Sequence, residues 1–336
     1  MSREPLVSVL LPFRDAAKTV EAAVRSVLRQ SEARLECIAI DDGSRDDGPG
    51  RVAALAASDS RIRLLRADRL GLVPALTRGV SACRGPFIAR MDADDWMRRR
   101  RLARQLEALE ANPGLGAVGC HVRIFPRETL SDGMRKYEAW LNSLETETDI
   151  HRNAFIECPI AHPTWLVRRG LLGETGYRDN EWPEDYDLLL RWREAGHRLG
   201  VVPERLHGWR DGPDRLSRRS PRYRPDRFVA CKASFLARGF LAGRNDYILW
   251  GFGDTGRALS RELRGHGKHP SAIIELHPGR LGQRIHDAPV VAPEALPSLP
   301  RLPLLVSVAG AGPRAEIRAA LAEMGFEEAQ DFLCTA

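Results

Sequence analysis

At 336 residues the chain is too long for one ordinary domain and suits two, and a 43% hydrophobic share is enough to build buried cores. A net charge of +6 would suit nucleic acid, anionic lipid or phosphorylated ligands, yet arginine outnumbers lysine along the whole chain, so the excess reads as a compositional bias and no nucleic-acid partner is expected. Six scattered cysteines without a Cys-x-x-Cys argue against a zinc site or a disulfide scaffold, and there is neither an apolar signal region nor an apolar run near the ~20 residues that span a bilayer. A cytoplasmic protein is expected, with peripheral contact at the inner face of a membrane left open.

In chain order, Leu6–Leu11 is an apolar run typical of a buried parallel strand, stopping at Pro12. Val20, Val24, Val27 and Leu28 share one face of a helix. Leu35–Ile40 is a second strand running into Asp41-Asp42-Gly43-Ser44, followed by a helix near Gly50–Ala57, a strand Ile62–Leu65 and a helix Leu72–Cys83. Phe87–Met91 is a fourth strand. Arg98–Arg101 suits a solvated helix face, although phosphates or an anionic membrane surface would also meet it. A helix Arg101–Glu110, a strand Ala117–Ile124 and a polar stretch follow. Pro183–Ala195 has proline at its first position, acidic residues toward the positive end of the dipole and Gly196 as its stop. Residues 211–226 look like a surface excursion.

Strands alternating with helices imply an α/β fold with a doubly wound, mostly parallel sheet, in which ligands bind beyond the carboxyl ends of strands. Pro12-Phe-Arg-Asp15, Asp41-Asp-Gly-Ser44 and Asp92-Ala-Asp-Asp95 all fall at such ends. The last places three carboxylates within four residues. A solvated turn is one use for such a cluster. The other is a clamp for a divalent cation, which takes one or two carboxylates and prefers substrate phosphates for the rest.

Near residue 245 the pattern restarts. Tyr247–Trp250 is a strand, Gly251-Phe-Gly253-Asp-Thr-Gly256 leads into a helix carrying Ala258, Leu259 and Leu263, and Ala272–Glu275 and Leu304–Ala309 are further strands before a helix Ala315–Met324. A domain over 1–240 and a small Rossmann-like α/β domain over 245–336 are expected. The glycine spacing, with Glu275 closing the next strand, suits a nucleotide at Gly251, Gly253, Gly256 and Glu275. A nucleotide, a nucleotide-sugar or a purely assembling role each fit better than dehydrogenation.

Val7-Ser-Val-Leu-Leu-Pro12, Ile40-Asp-Asp-Gly-Ser44, Ala89-Arg-Met-Asp-Ala-Asp-Asp95 and Pro183-Glu-Asp-Tyr-Asp187 occur in this order. In these motifs, and in Gly71–Leu76, His162-Pro-Thr164 and Gly176-Tyr-Arg178, the chain resembles family 2 glycosyltransferases over about residues 5–220. The resemblance implies a GT-A fold and a hexosyltransferase-like enzyme that inverts the sugar. It would use a nucleoside diphosphate sugar donor, a saccharide or lipid-linked saccharide acceptor, and Mg²⁺ or Mn²⁺, in bacterial surface polysaccharide or glycoconjugate assembly. It puts the nucleotide-sugar at Pro12, Arg14, Asp15, Asp41 or Asp42 (Asp42 preferred), Asp92, Asp94 and Arg210. The metal goes to Asp92 and Asp94. Asp185 is the general base and Glu184 its neighbour, in contact with acceptor or donor sugar. Asp187 braces the helix. His162 lines the acceptor cleft or is a satisfied structural histidine. Two departures stand out. Thr77 replaces a frequent asparagine. Gly212 stands where a histidine is frequent, leaving the diphosphate to Arg210, Arg215 or Arg218. A non-catalytic nucleotide-sugar sensor or scaffold is the rival reading, and an NAD-dependent oxidoreductase the third.

Overall fold

A computed structural model describes residues 4–336. The chain forms two compact units that do not follow chain order. One holds the described residues up to Ile150, Pro159–Asn180 and Asp187–Arg215; the other holds His151–Cys158, Glu181–Tyr186 and Leu216–Ala336.

In the first unit, β1 (Val7–Phe13), α1 (Val20–Leu28), β2 (Leu35–Asp42), α2 (Gly48–Ser58), β3 (Ile62–Ala67), α3 (Leu72–Ala82) and β4 (Phe87–Arg90) alternate as expected. Next come β5 (Trp96–Met97), α4 (Arg101–Ala111), β6 (Leu115–Phe125), α5 (Asp132–Leu141), α6 (Glu147–Asn153), β7 (Leu166–Arg168), α7 (Arg169–Thr175), α8 (Glu184–Glu194) and β8 (Arg198–Arg210). The last residues of α6 and the first of α8 belong to the second unit. Eight strands pair in the order β3-β2-β1-β4-β7-β6-β8-β5. The β1–β4 block is parallel, as is β6 with β8, while β7 and β5 run antiparallel to their neighbours.

Pro12 does not end β1; it pairs with Ile40 inside the strand. Leu10 O accepts from Met91 N on the β4 side, and β4 has ended by the time the chain reaches Pro12, so a missing N–H on that side removes no ladder bond. The polar stretch after β6 holds two helices, α5 and α6. Their apolar positions are sparse, and α5 is capped by Ser131 Oγ accepting from Met134 N. The thirteen-residue β8 has no expected counterpart, because its exposed arginines and glutamate interrupt the apolar alternation. Val7, Val9, Leu11, Leu35, Cys37 and Ala39 form a continuous core with α1 and α4.

The second unit adds α9 (Leu216–Arg219), α10 (Pro225–Arg238), β9 (Asp246–Trp250), α11 (Asp254–Gly265), β10 (His269–Ile274), β11 (Arg284–Ile285), β12 (Ala288–Val291), β13 (Leu304–Val306), α12 (Ala311–Glu323) and β14 (Phe332–Cys334). Its sheet runs β11-β12-β10-β9-β13-β14, parallel except for β11. The strand order reverses at β9. Residues 216–238, which the expected boundary at 240 assigns to the first domain, belong to the second unit, where Lys232 Nζ of α10 donates to Thr335 O at 3.1 Å.

Candidate active site

The turn between β4 and β5 brings Asp92, Asp94 and Asp95 together, with one carboxylate oxygen of each within 4.8 Å of the others. Like charges this close raise one another. Burial, then the Asp95 and Asp92 carboxylates, push Asp94 up to about 7, and burial with Asp92 pushes Asp95 well above the usual carboxylate range. Cationic groups offset this in part. Arg90 Nη2 donates to Asp92 Oδ1 at 2.6 Å, and Arg215, stacked on Trp209 at 4.5 Å, lowers both Asp94 and Asp95.

Asp95 is the braced member. Its Oδ1 accepts from Arg210 N at 2.7 Å and its Oδ2 is 2.8 Å from His207 Nε2. Arg101 Nη1 lies 2.9 Å from His207 Nδ1. A guanidinium only donates, so Nδ1 must accept and the proton sits on Nε2, aimed at Asp95. Burial, then Arg101, hold His207 well below its ordinary value, in agreement with a neutral ring. Arg101 is fully buried and also reaches Gln105 Oε1 at 3.1 Å and Arg90 O at 3.0 Å. Gly208, beside His207, lies flat under Trp96: a Cβ there would meet the indole at 2.1 Å. Asp92 and Asp94 thus stand at the accessible side of the turn with Asp95 locked behind them. Partly exposed hard oxygens crowded beyond their mutual tolerance fit a divalent cation.

The ends of β1 and β2 are stitched together. Asp15, in a left-handed conformation at φ 51°, accepts at Oδ1 from Arg45 N (2.7 Å) and donates its own N–H to Ser44 Oγ (3.0 Å). Asp41 Oδ1 accepts from Ser44 N, three residues on, at 2.9 Å and so closes the turn after β2. Asp42 accepts from Leu70 N (2.6 Å) and Gly71 N (3.1 Å) and stands 3.6 Å from Arg14. Both acids shape loops around the strand tips. Pro12 and Arg14 flank the same end.

Asp185 lies in the second unit at the start of α8, partly exposed. Burial, then the adjacent Glu184, push it up to about 8. Glu184 is buried and accepts from Tyr223 OH at 2.7 Å. Two residues on, within the first unit, Asp187 accepts from Asn180 Nδ2 (2.9 Å) and Arg191 Nε (2.7 Å), while Arg191 also donates to Thr175 O and Gly176 O. This is a buried ion pair, 2% and 8% exposed. Asp187→Ala leaves the Arg191 charge without its carboxylate and is expected to destabilise the fold by about 3–5 kcal/mol. Chemical denaturation of the ligand-free chain measures it; a loss under 1 kcal/mol would mean that the carbonyls alone satisfy Arg191.

The remaining expected residues are placed as follows. His162 is buried, 2.8 Å from Tyr177 OH and edge-on to Trp165 at 4.7 Å. Arg210 donates from Nε to Asp94 O at 2.9 Å and stacks on Phe125 at 4.6 Å. Thr77 Oγ1 donates to Val73 O within α3. Gly212 faces open space. In the second unit Gly251 takes φ +94°, and a Cβ on Gly256 would lie 2.1 Å from Gly251 O, so both are needed for the close helix–turn packing. Gly253 is open, and Glu275 is paired with Arg280 at 2.9 Å. Arg90, Asp95, Arg101 and His207 are not recognisable in the sequence as a connected set. The one local signal that could have marked them is a basic residue at an inward position, Arg90 in a strand and Arg101 on the buried face of α4.

A family model described as glycosyl transferase family 2 matches residues 8–176. The putative glycosyltransferase EpsE of Bacillus subtilis (strain 168) is 30% identical over 236 residues, covering 68% of this chain and 81% of the relative. The succinoglycan biosynthesis protein ExoO of Rhizobium meliloti (strain 1021) is 28% identical over 254 residues, covering 72% and 71%. Among solved structures, S. aureus TarS 1-349 in complex with UDP-GlcNAc matches with a TM-score of 0.53 at 14% identity, over 77% of this chain and 72% of that one. The mannosyltransferase PcManGT from Pyrobaculum calidifontis in complex with GDP-Man and Mn²⁺ matches with a TM-score of 0.52 at 19% identity, over 79% and 70%. At these identities the structural likeness is one of fold.

Proposed function

Because the chain belongs to glycosyltransferase family 2, we propose that it moves a sugar from a nucleoside diphosphate sugar to a hydroxyl of a saccharide or lipid-linked saccharide, with inversion and with Mg²⁺ or Mn²⁺. The observation that carries this reading is the carboxylate turn, in which Asp92 and Asp94 are presented by a buried Asp95–His207–Arg101 brace. These two carboxylates would hold the cation. When bound, it supplies charge to neutralise the departing diphosphate. Arg14, Asp15, Asp41 and Asp42 build the loops that would receive the nucleoside. Arg210 and Arg215 stand by the turn to meet phosphate oxygens.

Asp185 would take the proton of the acceptor hydroxyl as its oxygen bonds to the anomeric carbon. The bond from that carbon to the diphosphate oxygen breaks with its electron pair, leaving the nucleoside diphosphate. A base tuned toward the working pH suits this step, and Asp185 at about 8 is such a group. The similarity to ExoO, a succinoglycan biosynthesis protein, supports a polysaccharide acceptor. No helix among the described residues is long and apolar enough to cross a membrane, and a cytoplasmic site at the inner face of the membrane goes with this reading. The second unit's strand, glycine turn and helix support a Rossmann-like nucleotide site at Gly251, Gly253 and Gly256, with Glu275 held back by Arg280.

A thermal-shift screen of UDP-, GDP- and dTDP-sugars, with and without Mn²⁺, tests the donor site. One nucleotide class is expected to raise the melting temperature only with the cation, since a ligand at 100 times its Kd stabilises by about 2.7 kcal/mol. A panel without any cation-dependent shift, and without any sugar release, would overturn the reading.

A further inference from the structure

We propose that Tyr223 is a positioning residue of the transfer reaction: its hydroxyl holds Glu184 as a fixed anion beside Asp185, and that anion, not contact with either substrate, is what Glu184 contributes. The inference rests on Asp185 being the base. It assigns work to the arginine-rich segment after β8, which looks like a mere surface excursion in the sequence.

That segment, with the first turn of α10, clamps the base-bearing residues at three points, all within the second unit. Arg227 Nη1 donates to Glu181 Oε2 at 2.6 Å, Tyr223 OH to Glu184 Oε2 at 2.7 Å, and the Phe228 and Tyr186 rings pack at 5.7 Å. Tyr186 is held from the other side by its own hydroxyl, which donates to Ala154 O at 2.8 Å. The clamp is short and stiff. Tyr223 closes a 3₁₀ turn, Pro221–Tyr223, capped by Ser220, and Pro225 starts α10 two residues later.

Glu184 is 1% exposed, too deep to reach a substrate without rearrangement. A carboxylate so buried stays charged only when hydrogen-bonded. Tyr223 supplies that bond, and Arg222 stands 3.9 Å away. Burial and the neighbouring carboxylates hold the Tyr223 phenol well above its ordinary value, so it remains a donor throughout the working range. The charged groups around Asp185 come from several elements: Glu184 on α8, Glu157 after α6, and Arg222 and Tyr223 on the turn. Lys232 of α10 offsets Glu157. Burial contributes most to the elevation of Asp185 and Glu184 is the second cause, ahead of Glu157.

Removing the charge of Glu184, or weakening the hydrogen bonding that favours its charged form by taking away the Tyr223 hydroxyl, therefore lets Asp185 ionise at lower pH. The test uses the full chain labelled with ¹³C at the aspartate carboxyl carbons, titrated by NMR without substrate, with Asp185→Asn identifying the Asp185 signal. In the wild type the midpoint is expected near 8. Glu184→Gln should lower it by about one pH unit or more, and Tyr223→Phe should lower it in the same direction. Both variants are near-isosteric, and a merely structural role would not move this midpoint. An unchanged midpoint in either variant overturns the proposal. If instead Asp185→Asn still transfers sugar at the wild-type rate, the base assignment falls while the Tyr223–Glu184–Asp185 coupling stands or fails on the titration alone.

Discussion

Asp94→Ala is expected to abolish cation-dependent donor binding while making the ligand-free chain more stable. Three carboxylates with oxygens within 4.8 Å repel one another, and Asp94, partly exposed like Asp92, is pushed up to about 7. Removing it relieves Asp95 and Asp92 and takes away a hard oxygen ligand. Loss of a positioning group around a metal already costs ~10–100-fold in affinity, so loss of a ligand should exceed 100-fold. Melting curves with Mn²⁺ and the responding nucleotide-sugar read both effects: a higher melting temperature without ligand, and no further rise on adding cation and donor. A variant that melts lower and still responds to Mn²⁺ would mean that the turn is a structural knot. Wild-type activity that persists unchanged in EDTA would remove the cation from the mechanism.

Asp185→Asn should spare donor binding and depress transfer by ~10²–10⁴-fold, the usual contribution of general-base catalysis. The amide keeps the shape and an acceptor oxygen but no basic carboxylate. In the wild type the reactive form is the ionised one, so transfer should rise with pH and level off above about 8. Stability should move the opposite way. Between the ordinary carboxylate value of 3.8 and about 8 the folded chain keeps a proton that the unfolded chain has released. The native state therefore loses stability as pH rises through that window, and Asp185→Asn should flatten the slope. Transfer at the wild-type rate, with the product inverted as before, would place the base elsewhere.

The two variants differ in what they test. Asp94 acts on a ligand that binds in the ground state, so its loss appears in affinity. Asp185 acts on a proton that moves only as the new bond forms, so its loss appears in rate. Asp187, two residues further on, tests neither: its partners Arg191 and Asn180 are structural, and its replacement is read in denaturation.

Much of this protein is legible in the order of its residues. Apolar runs such as Val7–Leu11 and Leu35–Ile40 end in Pro-Phe-Arg-Asp and Asp-Asp-Gly-Ser, and that is enough to mark parallel strands whose carboxyl ends carry polar groups. The α8 helix is announced by Pro183 before it and Gly196 after it, because helix ends are satisfied locally. Where the polar groups go was not legible. Asp95 meets His207 across 112 residues, His207 meets Arg101 across 106, and Glu184 meets Tyr223 across 39. Asp41 closes its own turn and Asp42 ties down Leu70 and Gly71, although both have the composition of ligand-binding acids. Periodicity and capping are properties of neighbours in the chain, so sequence by itself determined the alternation from β1 to β4, the α8 helix and the three acidic strand ends, while α5, α6 and β8, with their sparse or interrupted apolar patterns, came only with the tertiary structure. Whether a buried charge is kept, and which atom of it remains for a ligand, depends on partners brought from far along the chain. Only the tertiary structure decided that Asp95 is locked and Glu184 is pinned, leaving Asp92, Asp94 and Asp185 the more accessible acids of their clusters.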